Sequence, residues 1–189
     1  MRRLLGFLTQ EGGTIAVEFA FVAPIMIGMF FGVTELALAL GAKGDVTNLA
    51  SVGADLVAQE SSVTTTDMTN VFSALSAMLF PYSTANAQVT ISSVVDNGTT
   101  TSGKVTWSCS QGGTPRATNS VSTFPSTAQG VITSGSGGSV IMAEVTYSYS
   151  LPFNISIPGA INLSGPYTMS NTFYSKPRRV SQIPLQACP

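Results

Sequence analysis

The sequence contains no histidine, and this absence excludes several classes of catalytic and metal site at once. Histidine is the commonest general base near neutral pH and the commonest metal ligand, so Ser-His-Asp, Cys-His and histidine-based zinc sites are excluded. No paired-carboxylate motif stands out either. We therefore predict no catalytic residue, no metal site and no cofactor, and hence a protein that is not an enzyme.

Charged residues are also scarce, at 9% of the chain, with 8 basic against 9 acidic side chains. A nearly balanced charge provides no field to hold a polyanion, so we expect no nucleic-acid partner. The mean hydropathy of +0.32 is high for a cytosolic domain. The apolar excess lies in the first quarter of the chain, whereas the remainder is rich in Ser, Thr, Gly and Asn, which is typical of an exported surface.

One long apolar run, residues 14–42, follows a short polar leader over residues 1–13. As a helix rising about 1.5 Å per residue, this run is longer than a hydrocarbon core of about 30 Å, so it predicts a transmembrane helix. Arg2 and Arg3 precede the run, and no comparable basic cluster follows it closely. This asymmetry predicts a cytoplasmic N-terminus and an exported C-terminal part.

The junction between the leader and the run carries a specific pattern, G-T-I-A-V-E-F-A-F-V-A-P, which begins at Gly13. It resembles the class III prepilin signal of the tight-adherence (Tad/Flp) pilus family, in which a glycine is followed by four residues and then Glu-Phe or Glu-Tyr. The sequence F-G-V-T-E-L, beginning at Phe31, resembles the F-G-x-x-E-L segment of TadE-like pseudopilins. Because the major Flp pilins are much shorter, a TadE-like minor pseudopilin is the closer resemblance.

This resemblance implies that a prepilin peptidase cuts between Gly13 and Thr14 and leaves the apolar helix on the mature chain. It also implies that Glu18, followed by Phe19, pairs with the new α-amine of a neighbouring subunit during assembly. The implied partners are the peptidase, sister pilins or pseudopilins, an inner-membrane assembly platform and the lipid bilayer. The implied location is the bacterial inner membrane, with a periplasmic C-terminal domain, or an extracellular pilus.

Other interpretations of the helix remain open at this point. Glu18 is also compatible with an interfacial residue that reaches water and complements the helix dipole. Gly28 and Gly32 have the G-x-x-x-G spacing of helix-packing sites, which also occurs by chance. Glu35 marks the outer interface or contacts a partner subunit. The alternative function is a permanently anchored periplasmic binding module of a secretion system that never enters a filament.

Beyond the run we predict an α+β, pilin-like fold in which the helix continues as an amphipathic stalk to about Glu60 and packs on an antiparallel sheet of about four strands. The stalk and a second helix, ended by Pro81, occupy residues 43–80, and a β-rich domain occupies residues 81–189. A Gly-, Ser- and Thr-rich stretch predicts a long mobile loop over residues 111–138. The second helix and the strands are predicted at Met68–Leu79, Gln88–Val95, Lys104–Cys109, Val140–Leu151 and Tyr167–Tyr174.

The chain has two cysteines, Cys109 and Cys188, both in the part that we expect to be exported. An oxidising compartment favours a disulfide between them, which would tie the C-terminal tail back to the domain. Two buried free thiols are the alternative. Alternation of Val145, Tyr147 and Tyr149 with hydroxyl residues predicts a sheet with one solvent-facing side.

Overall fold

The computed structural model describes residues 12–132, 135–150, 155–157, 161–163 and 165–189. Most of the predicted leader, residues 1–11, lies outside the described residues. The chain divides into two units. The N-terminal unit holds the chain up to Leu40 together with the Leu151–Ser164 segment, and the sheet unit holds Gly41–Ser150 and Gly165–Pro189.

Helix α1 extends over Gly12–Ala58 and includes Pro24 without interruption of the helix. After Gly41 its buried residues recur at intervals of three or four, which is the period of a helix with one face against a core. Gly53 lies on this face, where an added Cβ would be 3.1 Å from Leu75 Cδ1 and 3.8 Å from the Cβ of Ala143. The small residue therefore lets α1 approach its neighbours closely. The buried residues are Ala42, Val46, Leu49, Ala50, Ala54, Val57 and Ala58.

Helix α2 extends over Thr65–Met78 and begins with a capping box. The Thr64 hydroxyl accepts a hydrogen bond from the Asp67 N–H at 3.2 Å, and the Asp67 carboxylate accepts one from the Thr64 N–H at 2.9 Å. Hydrogen bonds from Thr64 hold the pKa of Asp67 below its ordinary value. The predicted second helix is confirmed, and it begins three residues earlier than expected because Thr64 supplies the cap.

Five antiparallel strands form the sheet in the order β3-β2-β1-β4-β7, so β3 and β7 are its edges. The predicted helix and antiparallel sheet are thus confirmed, and the sheet has one strand more than expected. All four predicted strands are present, and each observed strand overlaps its predicted range. The bounds are β1 Ala87–Asp96, β2 Ser102–Gln111, β3 Val121–Thr123, β4 Ser139–Tyr149 and β7 Tyr167–Ser175.

The expected solvent-facing side of the sheet exists only along part of β4. From Val145 to Tyr149 buried residues alternate with half-buried Thr146 and Ser148, as predicted. Between Ser139 and Ala143, however, every residue is buried. The expectation is wrong there because a second layer covers that side of the sheet. Its core contains Val94, Val105, Phe124, Ala128, Ile132, Val140 and Met142.

This second layer comes from residues 111–138, which we expected to be a long mobile loop. Strand β3 lies within it, Phe124 packs edge-on to Tyr174 with ring centroids 5.5 Å apart, and the Phe124 N–H donates to the Thr101 carbonyl. Arg116 binds both carboxylate oxygens of Glu144 on β4, each at 2.6 Å. The hydrogen bonds from Arg116 to Glu144 raise the pKa of Arg116 above its ordinary value. The described part of this segment therefore contributes β3 and the buried residues Phe124, Ala128 and Ile132 to the core, although most of it is irregular in structure.

The C-terminal segment, residues 176–189, forms a strap that we name the tail strap. Its Arg178 N–H donates to the Ala58 carbonyl at the end of α1, and its Gln186 N–H donates to the Val63 carbonyl. The Trp107 indole N–H donates to the Ile183 carbonyl at 2.8 Å. Near the end of the strap, Cys188 forms a disulfide with Cys109, and the Cα atoms of the two cysteines lie 5.5 Å apart. The predicted pairing is therefore present in the fold.

The N-terminal unit contains a separate two-stranded hairpin that we did not predict. Its strands are β5 Ile155–Ile157 and β6 Ile161–Leu163, paired antiparallel. Each strand has only three residues, which is too short for the periodicity of the sequence to distinguish it from a loop.

Candidate membrane and assembly site on helix α1

The candidate site lies along the first half of α1, where the helix is apolar on every side. In its first thirty or so residues the large apolar side chains are exposed, among them Ile15, Phe21, Phe30 and Leu36. Among the described residues one helix, Gly13–Ala58, is long and apolar enough to cross a membrane by its length and composition. A helix with an apolar surface all round needs an apolar environment, so this segment is compatible with a single-pass membrane anchor.

The predicted cleavage bond lies in the first turn of this helix. Gly12 is the first residue of α1, and Gly13 and Thr14 follow it within the helix. Gly13 is exposed, and an added Cβ there would meet no described atom within 4 Å. Because glycine disfavours helix by about 1 kcal/mol relative to alanine, this turn is the easiest part of α1 to unwind.

Glu18 lies one turn after Thr14 and is exposed, as is Phe19, which has 66% of its surface accessible. Residues four apart in a helix share a face, so the Glu18 carboxylate and the nitrogen of Thr14 lie on the same side of α1. Glu18 is the only charged residue between Gly13 and Thr34. A carboxylate in such an apolar segment costs up to a few kcal/mol in a bilayer, which calls for a partner charge.

Gly28 and Gly32 lie on the same stripe of the helix as Glu18. The residues of this stripe are spaced alternately by four and three, which keeps them on one side of a helix. At both glycines an added Cβ would meet no described atom within 4 Å. The stripe consists of Thr14, Glu18, Phe21, Ile25, Gly28, Gly32 and Glu35.

Glu35, the last member of the stripe, differs from Glu18 in its burial. The sequence favoured an interfacial position for Glu35, yet only 3% of its surface is accessible. The two glutamates of the apolar run are thus in different environments. The spacing of the two glutamates in the sequence did not predict this difference in burial.

The structure also brings together residues that the sequence analysis did not single out. Tyr82 lies against the start of the sheet unit, where its hydroxyl oxygen is 3.4 Å from the position of a Cβ on Gly41. Its ring packs on Tyr147 and Tyr149, with centroids 6.2 Å and 6.0 Å away. Burial raises the pKa of Tyr147 above its ordinary value. The alternation of β4 predicted that Tyr147 and Tyr149 share a face, but nothing in the sequence predicted their contact with Tyr82.

These features define a class of protein: an α+β chain with one long N-terminal helix whose first half is apolar and exposed and whose second half packs on an antiparallel sheet. No curated protein matches the chain, and no solved structure matches it.

Residues 13–55 match the family described as TadE-like protein, which confirms the resemblance inferred from the sequence. The match begins at Gly13 and includes Glu18, Gly28, Gly32 and Glu35, and residues 56–189 lie outside it. It supports a component associated with the tight-adherence pilus.

Proposed function

We propose that this protein is a minor pseudopilin, processed by a prepilin peptidase between Gly13 and Thr14, that joins a tight-adherence pilus or its assembly machinery. The observation that carries the proposal is the position of Glu18. It is an exposed carboxylate five residues after Gly13, and no other charge lies between Gly13 and Thr34. The TadE-like match over residues 13–55 supports the pilus-associated role.

Cleavage requires that the peptidase reach the backbone between Gly13 and Thr14. A helical peptide bond is a poor protease substrate, so the first turn of α1 has to unwind. The pair Gly12-Gly13 lowers the cost of unwinding, and the remaining helix down to Ala58 keeps its hydrogen bonds. Residues 14–58 would then form a continuous mature helix that starts with a charged α-amine.

The new amine gives Glu18 a partner. Within one chain the amine of Thr14 lies one turn from Glu18 on the same face. In an assembly, the Thr14 amine of an incoming subunit would pair with Glu18 in place of the chain's own amine. A subunit would then be accepted only where its amine reaches the Glu18 carboxylate of its neighbour. Since an unpaired charge in hydrocarbon costs up to a few kcal/mol, this pairing would set the register of neighbouring helices.

Gly28 and Gly32 support the same role because they would allow a neighbouring helix to approach closely. They lie on the stripe that carries Glu18, and their missing side chains leave room for a second helix backbone. A sister helix on this stripe would contact the glycines and the carboxylate together. Packing and charge pairing would then act on the same interface.

Processing is the first test. The membrane fraction is analysed by intact mass and N-terminal sequencing from cells with and without an active prepilin peptidase. We expect the chain to begin at Thr14 only when the peptidase is active, and Gly13→Leu to block this cut. Gly28→Leu is the matched control, because it makes the same change in the same helix away from the bond, and it should be cut normally. Retention of Met1 in the presence of the active peptidase would contradict the proposal.

Assembly is the second test. In Glu18→Ala we expect unchanged membrane insertion but loss of crosslinks to sister pilins, whereas Glu18→Asp should keep part of the assembly because it keeps the charge. Thr34→Ala, a change in the same exposed helix, serves as the control. Normal piliation in Glu18→Ala would rule out the pairing role.

A second candidate function, a permanently anchored binding module, is favoured by a different observation. Edge strand β7 has no strand on its outer side among the described residues, and an open groove beside it lies between Phe173 and the α1 residues Val52, Asp55 and Leu56. Such an edge can accept an extended segment of a partner protein. Under this alternative Met1 is retained and Glu18→Ala has no effect on partner binding, so the two tests above separate the functions.

A further inference from the structure

The inference concerns the disulfide that joins the tail strap to the sheet. Its two cysteines differ in exposure, because Cys109 on β2 has none of its surface accessible whereas Cys188 in the strap is exposed. A disulfide is formed or opened where a thiolate reaches one of its sulfur atoms. A thiol of another molecule therefore reaches this bond from the side of Cys188.

The tail strap itself buries little apolar surface. Among residues 176–189, all of which the structure describes, Ile183 is the only hydrophobic side chain that is buried, with 2% of its surface accessible. The strap forms no helix or strand, apart from a bridge between Leu185 and Val63. Ordering a segment of this length costs conformational entropy that one buried side chain offsets only in small part. The disulfide is therefore a main contributor to the docking of the strap.

The docked strap connects the helices of the sheet unit to the sheet. Besides its bond to the end of α1, it binds the segment between α1 and α2, where the Val63 N–H donates to the Pro184 carbonyl at 3.0 Å and the Val63 carbonyl accepts from the Gln186 N–H at 3.1 Å. On the sheet, the Trp107 indole N–H donates to the Ile183 carbonyl at 2.8 Å. Release of the strap would remove these bonds, whereas the five strands would keep their own pairing.

We propose that Cys188 is a thiol–disulfide exchange site, at which a protein disulfide oxidant of the exported compartment fastens the tail strap to the folded sheet unit. The Cys188 thiolate attacks the disulfide of the oxidant, forms a mixed disulfide and releases one thiolate of the oxidant. The Cys109 thiolate then attacks the Cys188 sulfur, closes the Cys109–Cys188 bond and releases the second thiolate. The cysteine pair thus loses two electrons and two protons, and the disulfide of the oxidant is reduced to a dithiol.

The exchange makes the contact between the strap and α1 depend on the redox state of the cysteine pair. In the oxidised chain the strap holds the Ala58 carbonyl at the end of α1. In the reduced chain this contact is lost, while the core that includes Val94, Phe124 and Met142 remains, since none of its members lies in the strap. The inference requires the sheet unit to be exported, as in the proposed function, but requires neither the cut after Gly13 nor a filament.

Docking of the strap is tested on the full chain in detergent micelles, oxidised or reduced with a phosphine. Trp107 is the only tryptophan of the chain and contacts the strap, so its emission reports docking. Trypsin gives a second readout, because Arg179 lies near the start of the strap and Arg116 lies outside it. On reduction we expect a red shift of the Trp107 emission and cleavage after Arg179 that is several times faster, with cleavage after Arg116 unchanged. Cys188→Ser should behave like the reduced chain, and the neighbouring Ala187→Ser is the matched control.

The site of exchange is tested with glutathione as the probe. The oxidised wild-type chain is incubated with reduced glutathione, the free thiols are alkylated, and the modified peptides are identified by mass spectrometry. We expect the glutathione adduct on Cys188 and the alkyl group on Cys109. An adduct mainly on Cys109, or equal amounts on both cysteines, would overturn the assignment of Cys188.

Two further outcomes would contradict the role of the bond in docking the strap. If Trp107 emission and cleavage after Arg179 are the same in the oxidised and reduced chains, the strap docks without the disulfide. If reduction accelerates cleavage after Arg116 as much as after Arg179, the disulfide stabilises the whole sheet unit and not the strap in particular. Processing after Gly13 is measured separately by intact mass, so failure of this inference and failure of the proposed function are distinguishable.

Discussion

The two halves of helix α1 are both rich in apolar residues, yet they differ in what surrounds them. Before Gly41 the large apolar side chains, such as Ile15 and Phe21, are exposed. After Gly41 apolar residues such as Val46 and Leu49 are buried. The difference follows from the pattern of the sequence, because the first half is apolar on all sides and the second half on one side only.

One continuous helix therefore has two parts that are stabilised by different surroundings, an apolar environment for the first half and the protein core for the second. Burying a large apolar side chain is worth about 1.5–3 kcal/mol, so the exposed half is stable only in lipid or against another apolar helix. The second half obtains the same stabilisation from the chain's own sheet and from α2. Substitutions in the second half should therefore lower the stability of the sheet unit, whereas substitutions in the first half should weaken membrane association.

The largest expected effect comes from Leu49→Ala, which removes a fully buried side chain from the second half of α1. We expect it to lower the free energy of unfolding of the sheet unit by about 3 kcal/mol, because it loses apolar burial and leaves a cavity. Urea unfolding in detergent micelles, followed by Trp107 fluorescence, measures this change. Phe21→Ala is the matched control in the exposed half and should leave the midpoint unchanged. Equal losses in the two variants would show that the halves are not distinct.

A smaller effect is expected from Arg116→Ala in the segment that covers the sheet. The variant removes two charge-assisted hydrogen bonds to Glu144 and leaves a half-buried carboxylate without this partner. We expect a loss of about 1–2 kcal/mol in the free energy of unfolding, given that the pair is partly accessible to solvent. The exposed Lys104→Ala on β2 is the control. A midpoint equal to that of the control would mean that the segment 111–138 is held by Phe124 and Ile132 alone.

Much of the fold was predictable because its signals are strong and local. The apolar run over residues 14–42 and the alternation around Tyr147 each specify an element over several residues. The family resemblance also followed from a short pattern at Gly13 and Glu18. The family match at residues 13–55 confirms it, while the cleavage and the pairing role stay predictions.

The parts that were not predicted depend on contacts between distant residues. Phe124 and Ile132 are isolated apolar residues in a Gly- and Ser-rich stretch, so no periodicity marks them as core, and their burial comes from Val94, Val140 and Met142 on other strands. The contact of Tyr82 with Gly41 also joins residues that are far apart in the sequence. Local sequence patterns therefore predict the helices and the longer strands of this chain. Whether an irregular segment joins the core depends on its packing against distant strands.

The capping box of α2 gives the next prediction, since it acts in the sheet unit alone. Thr64→Ala removes the hydroxyl that accepts from the Asp67 N–H and should lower the free energy of unfolding by about 1 kcal/mol. The exposed Thr69→Ala, one turn further along α2, is the control and should lose less. Urea midpoints in the same micelles measure both, and a control as destabilised as Thr64→Ala would mean that the cap is not the cause.

The same cap predicts a dependence on pH. Because the folded pKa of Asp67 lies below its ordinary value, its contribution is fully present above the ordinary aspartate range and is lost as the pH falls through the folded pKa. In Thr64→Ala the hydrogen bonds of the Thr64 hydroxyl are absent, so the loss of stability in acid should be shallower than in the wild type. Parallel acid titrations of the urea midpoint would reveal this difference, and identical slopes would contradict it.

The smallest effect is expected where the tail strap meets the second half of α1. The Arg178 guanidinium lies 2.6 Å from the Asp55 carboxylate, and both side chains are well exposed. An exposed ion pair contributes about 0.5 kcal/mol or less, so the coupling between Asp55→Asn and Arg178→Gln in a double-mutant cycle should be of that order and should vanish at high salt. The backbone bond from the Arg178 N–H to the Ala58 carbonyl survives both substitutions, which keeps the end of α1 capped. A coupling well above 1 kcal/mol that persists in salt would show that the strap positions α1 through charge, and that the second half of the helix is held by more than its apolar face.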